Sequence, residues 1–112
     1  MEKVKNVQGH YNIPAGYSSW LNYWERKMKK TAEVCQKDKC NEKENLEGGH
    51  VHIVGDEETV YLVPICYEHN LYTFTDEYEV PKDMLLKVPE EDLERAILED
   101  WLEDIKKSQK KK

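Results

Sequence analysis

No stretch of this chain approaches the roughly 20 consecutive apolar residues that a membrane-spanning helix needs. Hydrophobic residues make up 38% of it and charged residues 36%, so a soluble protein with no membrane partner is expected. There is no internal repeat, no glycine-rich phosphate loop and no serine–histidine–acid pattern. No secretory leader marks the N-terminus, and three cysteines cannot all pair within one chain. A disulfide scaffold is therefore disfavoured. A reducing, cytoplasmic setting is expected, where thiols are available to a metal. Small size and isolated-domain character suggest a bacterial or phage protein.

The chain has 112 residues, which predicts a single domain over 1–112. A core of that size is modest, and a bound metal would add to its stability. Charge is unevenly placed. Residues 1–43 hold nine Lys/Arg against five Asp/Glu, a surplus of +4. Residues 44–105 hold three against eighteen, or −15, and residues 106–112 add five lysines, leaving −6 overall. Phosphate neutralisation dominates nucleic-acid affinity. An acidic chain is thus a poor default nucleic-acid binder, although its basic N-terminal half could serve. The acidic half suits a basic protein partner.

Residues 1–16 read as an extended lead-in punctuated by Gly9, Pro14 and Gly16. A helix is expected over 17–30, capped by Ser18 or Ser19, with Trp20, Leu21, Trp24 and Met28 on one face. Arg26, Lys27, Lys29 and Lys30 crowd its C-terminal end, where cations complement the helix dipole. After the polar loop Asn41–Gly49, two strands are expected, His50–Val54 and Thr59–Ile65, joined by a turn over Gly55–Glu58. Alternation puts His50 and His52 on one side of the first strand. Tyr72–Val80 alternates as a further strand would. An acidic amphipathic helix is expected over 89–107, with Leu93, Ile97, Leu98, Trp101, Leu102 and Ile105 recurring at helical spacing. Glu94, Glu99, Asp100, Glu103 and Asp104 form its outer face, either as plain solvated surface or as a docking surface.

The chemistry concentrates in two close pairs, Cys35-x4-Cys40 and Cys66-x2-His69. Zn²⁺ takes four tetrahedral ligands, with thiolate and imidazole among the best. A short loop can wrap two thiolates around one ion. Residues three apart at the start of a helix share a face. Together the pairs supply a Cys₃His set, so Cys35, Cys40, Cys66 and His69 are the expected ligands of a structural Zn²⁺.

A knuckle, a hairpin and a helix carrying the second ligand pair is the order of a treble-clef zinc finger. Over about residues 35–72 the chain resembles the HNH-nuclease-like domains of that group. The matching stretches are Cys35-x4-Cys40, Gly49-His50-Val51 and Leu62-Val63-Pro64-Ile65-Cys66-x2-His69-Asn70. The resemblance implies an α+β fold: a small zinc-stabilised treble clef, flanked here by the N-terminal and C-terminal helices. It also implies that His50 is the general base that activates water, and that Asn70 holds a catalytic Mg²⁺ or Mn²⁺. Two family positions differ. Tyr61 stands where an asparagine orients the histidine, and Gly49 stands where an acidic or histidine ligand is common. Asn70 alone is a weak ligand for a hard cation; His52 could join it, or both histidines could simply pack against the hairpin, the reading favoured for His52.

Two functions follow as expectations. One is a non-catalytic, zinc-stabilised binding module with a protein partner, in one version an inhibitor that competes for a basic surface. The alternative is a divalent-metal-dependent endonuclease acting through His50 and Asn70.

Overall fold

In a computed structural model, residues 1–7 and 11–93 are described. They form an α+β domain around a five-stranded antiparallel sheet. In chain order its elements are β1 (Glu2–Asn6), α1 (Trp20–Met28), β2 (Leu46–Ile53), β3 (Asp56–Cys66), α2 (Tyr67–Asn70), β4 (Tyr78–Val80) and β5 (Leu86–Lys87). A 3₁₀ turn over Lys82–Met84 precedes β5. The strands lie in the order β4-β1-β2-β3-β5. Residues 90–93 begin a helical turn. The rest of the helix expected over 89–107, and His10 in the lead-in, fall outside the described residues.

The N-terminal segment departs from expectation. Residues 2–6 are an inner strand, paired with β2 on one side and β4 on the other. Val4 and Asn6 are buried while Lys3 and Lys5 face out, a period-2 pattern too short to stand out in sequence. The α1 helix is shorter than expected at both ends. The Ser19 hydroxyl accepts from the Asn22 amide at 2.9 Å, which sets the start. Lys29 turns left-handed at φ 57° and stops it. Its buried side is Trp20, Tyr23 and Trp24, so Tyr23 joins the expected stripe. The Tyr23 hydroxyl donates to Asp92 at 2.7 Å.

The hairpin is also longer than expected. Ile53 pairs with Asp56 across a two-residue turn at Val54–Gly55. Gly55 has φ +98°, which such tight turns require, so Asp56–Glu58 are already strand. At the other end β2 starts at Leu46, because Gly48 and Gly49 act as packing residues and not as loop residues. A Cβ on Gly48 would lie 2.7 Å from the Trp20 carbonyl carbon of α1. The Tyr72–Val80 strand contracts to Tyr78–Val80.

The β3 strand is buried almost continuously from Val60 to Cys66, which means that both faces of the sheet are covered there. Val60 and Leu62 meet Trp20, Tyr23 and Trp24 of α1. Val63, Ile65 and Cys66 meet Val4, Val51, Val80 and Cys35 on the opposite face.

Candidate metal centre

The Cys35–Cys40 loop is held from three sides. The Cys35 amide donates to the Glu42 carbonyl at 2.8 Å, and the Gln36 amide to the Pro64 carbonyl at 3.0 Å. The Asp38 amide donates to the Glu79 carbonyl, and the Glu79 amide returns a bond to Asp38 Oδ1, each at 2.9 Å. That second bond, with Lys37 and Lys39 nearby, holds the Asp38 carboxyl below its usual range. Lys39 is left-handed at φ 66°, which folds the loop back so that Cys40 faces Cys35. From the hairpin, β3 delivers Cys66 at its last position. Cys66 is also the N-cap of α2, which brings His69 round one turn later.

The result is a cluster in which one donor atom from each of Cys35, Cys40, Cys66 and His69 lies within 4.8 Å of all the others. His69 Nδ1 is 3.1 Å from Cys66 Sγ and 3.9 Å from Cys35 Sγ. Tetrahedral zinc with thiolate and imidazole ligands needs donor separations of about 3.5–3.8 Å. Separations of at most 4.8 Å bring the four side chains close to that demand, and they could hold a metal ion such as zinc. Cys35 and Cys66 are buried, while Cys40 and His69 are partly exposed. Burial pushes the Cys35 thiol up to about 12, against the pull of the Cys66 and Lys37 backbone amides. A cation in the cluster would reverse that balance, since thiolate is the ligating form.

Sequence reasoning missed the shell behind His69. The Asn6 side-chain amide donates to the His69 carbonyl at 2.7 Å, and the Tyr78 hydroxyl donates to Asn6 Oδ1. Burial, with Cys35 and Cys66 nearby, drives the Tyr78 phenol well above its ordinary value. The Phe74 ring stands edge-on to the His69 ring, with centroids 5.1 Å apart. The only sequence signal was the inward position of Asn6 two residues after Val4.

The residues that the resemblance assigns to catalysis, His50 and Asn70, line one cleft of about 830 Å³ between α1, β2 and the end of α2. The His50 ring contacts those of Trp20 and Tyr11, with centroids 4.4 and 4.7 Å apart. The Asn70 amide donates to Glu47 Oε1 at 2.8 Å; this carboxylate was not anticipated. His52 does not join them. Its Nδ1 donates across the hairpin to the Thr59 carbonyl at 2.9 Å; Val51 and Ile53 both pack on the opposite face, so the alternation along β2 holds and His50 and His52 share one side, as expected. Tyr61 pairs with Val51 and packs on the face opposite His50, so it does not orient that imidazole. Gly49 is backed by Ile65, into which a Cβ would collide. Among the described residues no helix is long and apolar enough to cross a membrane. No protein-family model matches the chain, and neither does any curated protein or solved structure.

Proposed function

We propose that this chain is a zinc-binding module of the HNH-like treble-clef type, working in a reducing cytoplasm, whose role is recognition and not catalysis. The carrying observation is the convergence of three sulfurs and one imidazole nitrogen within 4.8 Å, a donor set suited to structural zinc. The order of loop, hairpin and short helix around those donors supports the treble-clef reading. Position 49, next to His50, supports the absence of catalysis. Gly49 offers no ligand, and the space where one would go is taken by Ile65.

The partner is a protein with a basic surface, drawn to the −15 of residues 44–105. An inhibitor of a nucleic-acid-binding protein would use the same charge to compete for that surface. Nucleic acid is the weaker alternative. Two of the four cations of 26–30 already lie over aromatic rings, Arg26 over Tyr17 at 4.6 Å and Lys27 over Tyr23 at 5.5 Å. Elemental analysis of the purified protein should give one zinc per chain, and a pull-down should weaken when Glu99, Asp100 and Glu103 are reversed in charge. Absence of zinc would sink the frame, and an unchanged pull-down would remove the acidic C-terminal segment as the docking surface.

One observation favours a second reading, a divalent-metal-dependent nuclease: His50 and Asn70 share a cleft with the Glu47 carboxylate. Under it, plasmid cleavage would require added Mg²⁺ or Mn²⁺ and would be abolished by His50→Ala with the fold intact.

A further inference from the structure

We infer that Asn6 is a positioning residue for the metal centre, orienting His69 and coupling the β4–β1 edge of the sheet to metal binding. The inference rests on the reading of the four-donor cluster as a metal site. Asn6 is the buried polar residue of the described core, 6% exposed, and it sits 63 positions from its partner His69. A carbonyl can only accept, so the side chain must turn Nδ2 toward the His69 carbonyl. That leaves Oδ1 for the Tyr78 hydroxyl, which the structure places there. The chemistry admits one orientation of the amide, and both of its ends are engaged.

The consequence lies in α2. This helix has four residues, and its N-cap, Cys66, makes no side-chain capping bond. One turn of helix has little stability of its own, yet it must present Cys66 and His69 to the same ion. The Asn6 bond grips the peptide that carries the imidazole. Tyr78, from the next strand, fixes the rotation of Asn6, and Phe74 packs edge-on against the ring itself. Groups behind metal-ligating histidines commonly alter affinity by about 10–100-fold. Here the grip is on the histidine backbone, and it comes from strands outside the 35–72 segment that supplies the ligands.

The test is Zn²⁺ and Co²⁺ binding by the full chain, measured by competition with a chromogenic chelator, together with the Co²⁺ absorption spectrum at saturation. Asn6→Asp keeps the acceptor for Tyr78 and loses the donor to His69. It should weaken affinity by about 10–100-fold and shift the Co²⁺ bands. Tyr78→Phe should cause a smaller loss in the same direction. Leu62→Ala lies in the cluster on the other face. It should lower stability and leave the saturated Co²⁺ spectrum as in the parent, which separates positioning from general weakening. Parent-like affinity and spectrum in Asn6→Asp would overturn the inference. Should that variant not fold, the same result in Tyr78→Phe would overturn it. Failure of the parent to take up either metal would overturn the metal-site reading itself.

Discussion

Under the nuclease reading, position 49 is where a second ligand next to His50 would be placed, and the structure leaves no room for a side chain there. A Cβ built on Gly49 would lie 2.6 Å from Ile65 Cγ1 and nearer still to Cδ1, with Asn70 Oδ1 at 3.1 Å. Ile65 is wholly buried and cannot swing into solvent. Gly49→Ala is therefore expected to cost about 1–3 kcal/mol as an overpacking change, offset by less than about 1 kcal/mol from the stiffer unfolded chain. Ile65→Ala removes both offending atoms and alone should cost about 2–5 kcal/mol through the cavity it leaves. In the double variant the new methyl occupies part of that cavity. The combined cost should fall short of the sum by about 0.5–3 kcal/mol, the range for residues in contact. Urea denaturation of the metal-loaded protein should show Gly49→Ala as a midpoint lowered by roughly 1 M, given slopes of about 1–3 kcal/mol per M. Additivity within about 0.5 kcal/mol, or a Gly49→Ala protein as stable as its parent, would refute the collision. The argument that position 49 cannot carry a catalytic ligand would go with it.

Removing the metal with a chelator, or making Cys66→Ser, should unfold the metal loop and α2 and lower the stability of the central domain, because the unfolded chain has no preformed site; a circular dichroism spectrum and a denaturant midpoint that both stay unmoved would argue against a structural metal. Acid should act in the same direction, since protonated thiols and imidazole release metal. Asp38 adds a separable acid effect. Its carboxyl is held low chiefly by the Glu79 amide, so the unfolded chain binds the proton more readily. The stabilisation is present above the ordinary carboxylate range and lost as pH falls through it, and the stability gap to Asp38→Asn should narrow between about pH 5 and 3. Ser19→Ala should cost about 1 kcal/mol through the lost cap, and Trp24→Ala about 3–5 kcal/mol, since Trp24 is fully buried and its indole N–H donates to the Met84 carbonyl at 2.9 Å. Denaturant midpoints measure both.

The sequence made the four donors legible because metal chemistry restricts residue type and spacing so tightly. The α1 helix was legible because an apolar stripe, a capping serine and a cationic end agree. The β1 strand was not. Five residues with one valine carry little pattern, and the strand is stabilised by neighbours from residues 46–53 and 78–80. Gly48 and Gly49 read as loop because glycine in sequence signals turns. Here each marks a close approach instead, one to the α1 backbone and the other to Ile65. Alternation placed His50 and His52 on one side of β2, but it could not anticipate that His52 is engaged by the Thr59 carbonyl across the hairpin. The Asn6–Tyr78–His69 linkage joins residues up to 72 positions apart, and no local pattern encodes it.

The two sheet faces are closed by different means, and this makes the metal more than a local clip. On one face α1 lays Trp20, Tyr23 and Trp24 over Val60 and Leu62. On the other, no long helix among the described residues covers Val51, Val63, Ile65 and Val80. Their cover is Cys35 and Cys40 from the loop, with Phe74, Met84 and Leu85 from connecting segments. Loops bury little apolar surface of their own and have weak reason to stay closed. This one is tied to β4 by the paired Asp38–Glu79 bonds and to α2 through the donor cluster. Without a metal the first tie is solvent-exposed and the second is four side chains with no ion to join them. The covering layer should then lift and uncover β-branched residues along β2 and β3. A chelated protein is thus expected to bind a hydrophobic dye such as ANS while retaining strand signal in circular dichroism, and Cys40→Ser should reproduce that state. Dye binding that stays at the native level after complete metal removal would mean that the loop closes this face unaided. The ion would then contribute affinity for the four side chains and nothing to the sheet beneath them.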